Sequence, residues 1–419
     1  MRILLVNHYA APPSEPGGTR HFTLARELMA LGHQVTIAAS SFDHLGRGNR
    51  LPDGIAARAE VLDGVPFLWL NTPRYAGNGP GRLWNMLVFA RAVRRQLPRY
   101  LDPAPEVVVG SSPHLFGARA ALDLARRAGV PFVLELRDVW PQSLVDVMDV
   151  PAWHPLIWHM ERVERQLYRG SAHIISLLPA VAGRVSSRGG ADTPITWVSN
   201  GIDLGLVPRV QAPAGRPPFT FMYAGAHGIT NALDVLVDAA ALLEVRERVL
   251  GLEPAQRAQV VLVGTGPEKA RLQARVQAEG IGNLTFRAPV PKREIYGLLA
   301  QADAFLVSSR DSSLWDHGIS FNKIFDFMAM ARPVVAGLAA ANNPIQEADA
   351  GLTVAPGSAA AMADGMLRLM AAGPEARWAM ALRGRAAVEA RFDFRILARR
   401  FEGALLAALA GAPGRAHAS

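Results

Sequence analysis

Short apolar runs closed by Gly, Pro or Asp alternate along most of this chain with longer stretches of helical periodicity. Runs that are apolar on both faces suit parallel strands covered on either side, and parallel pairing requires crossover connections that are usually helical. In the first half the candidate strands are Ile3 to Asn7, Gln34 to Ala39, Val107 to Gly110, Phe132 to Leu136, His173 to Ser176 and Ile195 to Val198. The series resumes at Phe219 to Tyr223, Val260 to Val263, Leu284 to Arg287, Ala304 to Val307, Pro333 to Ala336 and Gly351 to Val354. Helical patterns without strands then run from Ala359 to Met370 and from Pro374 to Ala410.

At 419 residues the chain is long for one core and suits two domains of roughly 200 residues each. Residues 208–218 are rich in Pro, Ala and Gly and have the composition of a linker. The expected architecture is therefore α/β, with two Rossmann-like parallel-sheet domains facing across a cleft. The first covers 1–208, the second 209–395, and a tail, 396–419, crosses back to the first. Ligands of open parallel sheets bind just outside the strand C-terminal ends, which places the site in that cleft.

The absence of cysteine removes disulfides, thiolate metal sites and a cysteine nucleophile. The apolar stretch after Met1 is too short for a signal segment, and arginines break the longest apolar candidate near Leu83 to Val93, so no spanning helix is expected. A net charge of +8 invites a nucleic-acid reading, but no aromatic-basic stacking platform or reader motif accompanies it. Anionic lipid surfaces and phosphorylated substrates call for the same charge.

Gly17 and Gly18 lie between the first strand and a helix starting near His21, where backbone N–H groups could meet an anion; an ordinary loop reads equally well. Pro12, Pro13 and Pro16 argue against a dinucleotide fingerprint at that turn. His227 and Gly228 follow the first strand of the second half in the same style, and Gly264 and Gly266 form a third strand-to-helix loop. The segment from Ser313 to Val335 runs from a polar loop through a short helix into a buried strand. At that helix N-terminus Lys323 could neutralise a diphosphate, and Asp326, one turn on, could accept from a ribose diol; a plain surface ion pair is the alternative.

Read in order, Leu31-Gly32-His33-Gln34-Val35, Gly110-Ser111-Ser112-Pro113, Leu134-Glu135-Leu136-Arg137-Asp138-Val139-Trp140-Pro141-Gln142-Ser143, Ser199-Asn200-Gly201-Ile202-Asp203, Val263-Gly264-Thr265-Gly266-Pro267 and Gly318 to Ala329 resemble motifs of the retaining glycosyltransferases of family 4. The bacterial subgroup that builds O-antigen, capsule and exopolysaccharide is the most similar. The resemblance implies a GT-B fold, a nucleotide-sugar donor, transfer with retention, and no cofactor or catalytic metal; no clean Asp-x-Asp is present. It implies donor binding by Gly17, Gly18, His227, Gly228, Gly264, Gly266, Arg287, Asn322, Lys323 and Asp326. Catalytic roles would fall to Asp138, Glu135 and Lys323, although either acid could equally be a structural partner of Arg137.

The chain departs from the family's E-x7-E signature: Asp326 stands for the second glutamate, Gly318 occupies the position of the first, and Asp316 is the nearest acid. The Arg and Lys that usually clamp the diphosphate after the first strand of the second domain are also replaced, by Gly225 to Asn231.

The stretches Phe67 to Leu70, Arg74-Tyr75 and Arg82 to Arg95 are apolar, aromatic and basic together, a composition suited to a membrane surface as well as to a buried helix. The expected partners are a nucleotide-sugar donor, a polyprenyl-diphosphate-linked or other saccharide acceptor, and the anionic inner face of the cytoplasmic membrane, with no nucleic acid. A nucleotide-sugar epimerase of the same shape and a non-catalytic sugar-nucleotide-binding scaffold are the competing readings.

Overall fold

A computed structural model describes residues 1–411 apart from 16–17, 44–47, 78, 149, 214–216 and 292–293. The chain divides into two compact units, Met1–Ser199 with Phe394–Ser419, and Asn200–Asp393. The division lies upstream of the Pro-rich stretch because residues from Asn200 onward already bond within the second unit: Asn200 N–H donates to Ser320 Oγ (2.7 Å) and Ile202 N–H to the Phe392 carbonyl (3.0 Å).

The first unit contains β1 (Arg2–Val6), β2 (Gln34–Ser40), β3 (Ala57–Leu62), β4 (Val65–Leu70), β5 (Val107–Ser111), β6 (Phe132–Leu136), β7 (His173–Ser176) and β8 (Ile195–Trp197). They form one sheet in the order β3-β4-β2-β1-β5-β6-β7-β8, parallel except for β3. Its helices are α1 (Arg20–Ala30), α2 (Pro80–Arg95), α3 (Leu115–Ala128), α4 (Gln142–Met148), α5 (Pro155–Gly170) and α6 (Ala182–Ser187).

Strand alternation sorts the apolar side chains onto two faces. Leu4, Val6, Leu68 and Val108 pack with α2, α3 and α5, whereas Ile3, Leu5, Trp69 and Val109 share a cluster with α1 and with the last helix of the chain. Both faces are covered, which is why these strands read as unbroken apolar runs rather than as alternating ones. The sequence reading did not recognise β3 or β4. Phe67 to Leu70, whose composition suits a membrane surface or a buried helix, are all buried in strand β4 with no more than 2% exposure.

The second unit contains β9 (Thr220–Ala224), β10 (Gln259–Val263), β11 (Leu284–Arg287), β12 (Ala304–Ser308), β13 (Val334–Gly337) and β14 (Gly351–Val354), parallel in the order β11-β10-β9-β12-β13-β14. Its helices are α7 (Leu233–Val249), α8 (Lys269–Glu279), α9 (Ile295–Leu299), α10 (Asn322–Ala329), α11 (Pro344–Glu347), α12 (Ala359–Ala371) and α13 (Gly373–Arg391).

The final helix, α14 (Phe394–Ala410), belongs to the first unit. Phe394, Leu397, Phe401, Leu405 and Ala408 make the helical stripe it buries there, and Glu402 bonds His33 at 2.6 Å.

In each sheet the strand order reverses beside the first strand of the unit, between β1 and β5 and between β9 and β12. Connections diverge at such a switch point and leave a crevice outside the strand C-termini.

Candidate functional site

In the first unit, Asn7, Ser111 and Glu135 stand at the ends of neighbouring strands β1, β5 and β6 and form one buried chain of hydrogen bonds. Asn7 Nδ2 donates to Ser111 Oγ (2.9 Å), and Ser111 Oγ to Glu135 Oε2 (2.5 Å). Two residues of the first turn of α1 complete it: Arg20 Nε donates to Glu135 Oε1 (2.8 Å), and His21 Nε2 lies 2.6 Å from Glu135 Oε2.

Burial alone would push the Glu135 carboxyl up, but His21 and Arg20 hold it well below the usual carboxylate range. Glu135 is therefore ionised, wholly buried and occupied on both oxygens, which leaves it no face for an acceptor hydroxyl. It pairs with Arg20 and His21 rather than with Arg137. The sequence reading had no signal for this, because Arg20 and Glu135 are 115 positions apart.

Asp138, three residues on, is different. It is exposed, and its side chain has no hydrogen-bond or ion-pair partner among the described residues. Solvent reaches it, yet enough protein surrounds it to disfavour the charged form and push its pKa up, against the pull of Arg137. Gly18 forms a bridge with Ala10 just before α1. Gly17 lies outside the described residues.

In the second unit the candidate donor residues converge on the ends of β9, β10 and β11 and on the start of α10. Gly264 and Gly266 have φ of +141° and +159°. A side chain at either would collide with backbone, that of Gly225 at the first and of His227 at the second. The two loops are laced together, His227 N–H donating to the Thr265 carbonyl (2.8 Å) and Glu268 N–H to the His227 carbonyl (3.1 Å). Lys269 Nζ donates to the carbonyls of Gly264 (2.7 Å) and Arg287 (2.9 Å), so Arg287 contributes its backbone here while its guanidinium turns to Gln301. The His227 ring is buried, and among the described residues neither nitrogen has a partner in good hydrogen-bond geometry. Burial first, then Lys269, lower its pKa, with the nearby Val263 backbone opposing.

The chain has three lysines in all, of which Lys269 and Lys323 sit here and Lys292 lies outside the described residues. Lys323, in the first turn of α10, donates to Asn231 Oδ1 and to the Tyr223 hydroxyl (3.1 Å), and lies 4.6 Å from the centre of the Tyr223 ring. No carboxylate pairs with it among the described residues, and burial pushes its pKa down to about 7. Asn322 is exposed at the start of the same helix and Gly228 caps the short helix 229–231. Asp326 accepts from the Tyr296 hydroxyl (3.0 Å) and does not pair with Lys323.

Tyr223, Asn231 and Tyr296 carry no motif that marks them in the sequence; the first lies within β9 and the others in short helices. The loop before α10 is held by two asparagines that were also missed as site residues. Asn342 exchanges two bonds with Ile319 (2.7 and 3.1 Å), and Asn200 Nδ2 donates to the Ser320 carbonyl (2.6 Å). Gly318 has φ +102°, a conformation that disfavours the glutamate of the family signature, and Asp316 is exposed on the preceding turn.

Residues 17–201 match the family described as glycosyl transferase 4-like domain, and residues 218–372 that described as glycosyl transferases group 1. Compared with curated proteins, the sequence finds no significant match. Among solved structures it is similar to sucrose-phosphate synthase from Thermosynechococcus elongatus (17% identity, TM-score 0.74, covering 96% of this chain and 97% of the other). HepE from Anabaena, in complex with UDP and glucose, is similar at 16% identity and TM-score 0.67, covering 97% and 99%. The lipopolysaccharide outer core galactosyltransferase WaaB is similar at 14% identity and TM-score 0.61, with the same coverage. With both halves matched by glycosyltransferase families and the two parallel sheets matched by such enzymes, this chain belongs to the glycosyltransferases of the GT-B fold.

Proposed function

We propose that this glycosyltransferase takes its sugar from a uridine diphosphate donor held by the second unit. The observation that carries the reading is Lys323, a desolvated ammonium at a helix N-terminus with only neutral partners. Such a group is poorly stabilised alone and well stabilised by an anion. His227, Gly228 and the backbone of the Gly264 to Gly266 loop surround the same region, Asp326 and Asn322 serve the ribose side, and the Arg287 backbone edge serves the base. HepE, whose fold this chain shares, was crystallised with UDP, which supports uracil as the base.

In the proposed reaction the bond from the anomeric carbon to the diphosphate breaks and a glycosidic bond to an acceptor hydroxyl forms with retention of configuration. The acceptor proton passes to the departing diphosphate oxygen. Stabilising that developing charge is the main demand, and Lys323 meets it electrostatically. The family resemblance implies no catalytic metal, so the charge is assigned to Lys323 and turnover is expected to survive a chelator. Asp138 is assigned to the acceptor side and Glu135 to holding that side's framework.

The acceptor is proposed to be a lipid-linked saccharide of cell-surface polysaccharide synthesis, met at the inner face of the cytoplasmic membrane. No helix of the described residues is long and apolar enough to cross a membrane. The support is the outer surface of α2, α3 and α5, which pack side by side over one face of the first sheet. Trp84 and Trp158 are each 61% exposed there, with Leu87, Arg91 and Arg95 continuing the α2 stripe and Arg126 and Arg127 on α3. Exposed tryptophan interleaved with arginine suits an anionic interface.

The deciding experiment is nucleotide release from UDP-, GDP- and dTDP-sugars with a lipid-linked acceptor extract. Acceptor-dependent release from one UDP-sugar is expected. Tight UDP binding with no release from any donor would instead favour the scaffold reading, which Gly318 at the first signature position keeps in play.

A further inference from the structure

Beyond the ends of β2 and β4 the first unit has an open depression of about 550 Å³, lined by Asn49, Asp53, Asn71, Thr72, Arg74 and Val88 among others, which the reading above does not use. Its floor is locked. Asn49 Nδ2 donates to Asn71 Oδ1 (3.2 Å) and to the Thr72 carbonyl (3.2 Å), and Asn71 Nδ2 donates to the Ile55 carbonyl (2.6 Å). The Thr72 hydroxyl pairs with Ser40 (2.7 Å) and accepts from the buried Asn85 (3.0 Å). The walls are not locked: Asp53 and Arg74 are exposed and have no ion-pair or side-chain hydrogen-bond partner among the described residues.

This combination selects a ligand class. A carboxylate accepts and a guanidinium donates through a planar fork, so the hydroxyls of one ligand can meet both an acceptor and donors above a floor whose amides are already fixed. Val88 supplies an apolar wall. The opposite charges of Asp53 and Arg74 favour a neutral polyhydroxylated molecule over a phosphate, and no aromatic side chain among the described residues lines the depression to stack a base.

The position narrows it further. β4 lies two strands from β1, about 10 Å at ordinary strand spacing, so the depression is offset from the β1/β5 switch point but shares its edge of the sheet. We infer that it is a saccharide subsite that holds a sugar unit of the acceptor beyond the one that reacts. The inference rests on the acceptor being a saccharide. Val88 stands one helical turn after Trp84, which sets this subsite beside the surface assigned to the membrane.

The test is saturation-transfer NMR on the full chain with maltose, lactose and N,N′-diacetylchitobiose as probes, with UDP binding followed by calorimetry on the same samples. Transfer to at least one disaccharide is expected. Asp53→Ala and Arg74→Ala should each weaken its binding roughly tenfold, the scale of a lost hydrogen bond to a charged group, with unchanged melting temperature and UDP affinity. Asp53→Asn should retain part of the signal. No transfer to any of the three, or transfer undiminished in both alanine variants, overturns the subsite. Failure of UDP to bind the unaltered chain overturns the donor reading instead, whatever the disaccharides do.

Discussion

Arg20 donates to Glu135 Oε1 at 2.8 Å while its other two nitrogens hold the carbonyls of Val198 and Ser199, the last residues of the first unit before the chain leaves it. One guanidinium thus joins the start of α1, the end of β6 and the exit from β8. Its burial is tolerated because each of its three nitrogens has an acceptor and a carboxylate neutralises the charge.

Removing one partner should therefore be worse than removing both. Glu135→Leu or Arg20→Met alone leaves an uncompensated buried charge and is expected to cost about 3–5 kcal/mol. The double variant should recover part of that loss in chemical denaturation. If Glu135 instead acted on the acceptor, Glu135→Leu would lose turnover with its denaturation midpoint intact.

Lys323 predicts a trade between stability and binding. Lys323→Met removes a desolvated ammonium that lacks a counter-charge, so the unliganded variant should melt no lower than the parent while UDP affinity falls roughly 10- to 100-fold. The pH dependence follows from the direction of the shift. Because the folded value is about 7 and the ordinary one 10.5, the unfolded chain binds more protons between them, and this group makes unliganded stability rise with pH across that window. A diphosphate favours the charged form, so UDP binding should take up a proton and weaken above about pH 7. Calorimetry in buffers of different ionisation enthalpy reads this directly, and an affinity flat from pH 7 to 9 would contradict it.

Gly264→Ala should damage donor binding through the backbone. The new methyl would meet the Gly225 carbonyl at φ +141°, so the β9 and β10 loops must separate. A stability loss of order 1–3 kcal/mol, with UDP affinity falling as well, is expected in thermal melts and titrations. Gly280→Ala, at the C-terminus of α8 with open space around it, should leave UDP affinity unchanged.

Liposome sedimentation checks the proposed membrane face. Trp84→Ala with Arg91→Ala and Arg95→Ala should markedly reduce binding to vesicles containing anionic lipid, each arginine being worth about 1 kcal/mol near such a surface. Arg94 is the wrong choice for this test because it is tied to Asp123 at 2.9 Å. Equal sedimentation of variant and parent would remove this surface from consideration.

The sequence by itself determined the class of fold, most strands and the family, because buried parallel strands write their two-sided burial as unbroken apolar runs and glycine-rich loops follow them. It also marked Lys323, Gly264 and Gly266 as candidates, because a helix N-terminus and a glycine loop after a strand are local features of the chain. It did not separate β4 from a surface-seeking segment: Phe67-Leu68-Trp69-Leu70 has the same composition either way, and only pairing with β2 and β3 buried it. Nor did it tell Glu135 from Asp138, three positions apart in one motif. Tertiary structure decided that, bringing Arg20 and His21 to one acid and leaving the other open to solvent, since the charge that meets a carboxylate is set by which strand ends are neighbours and not by what lies beside it in the chain.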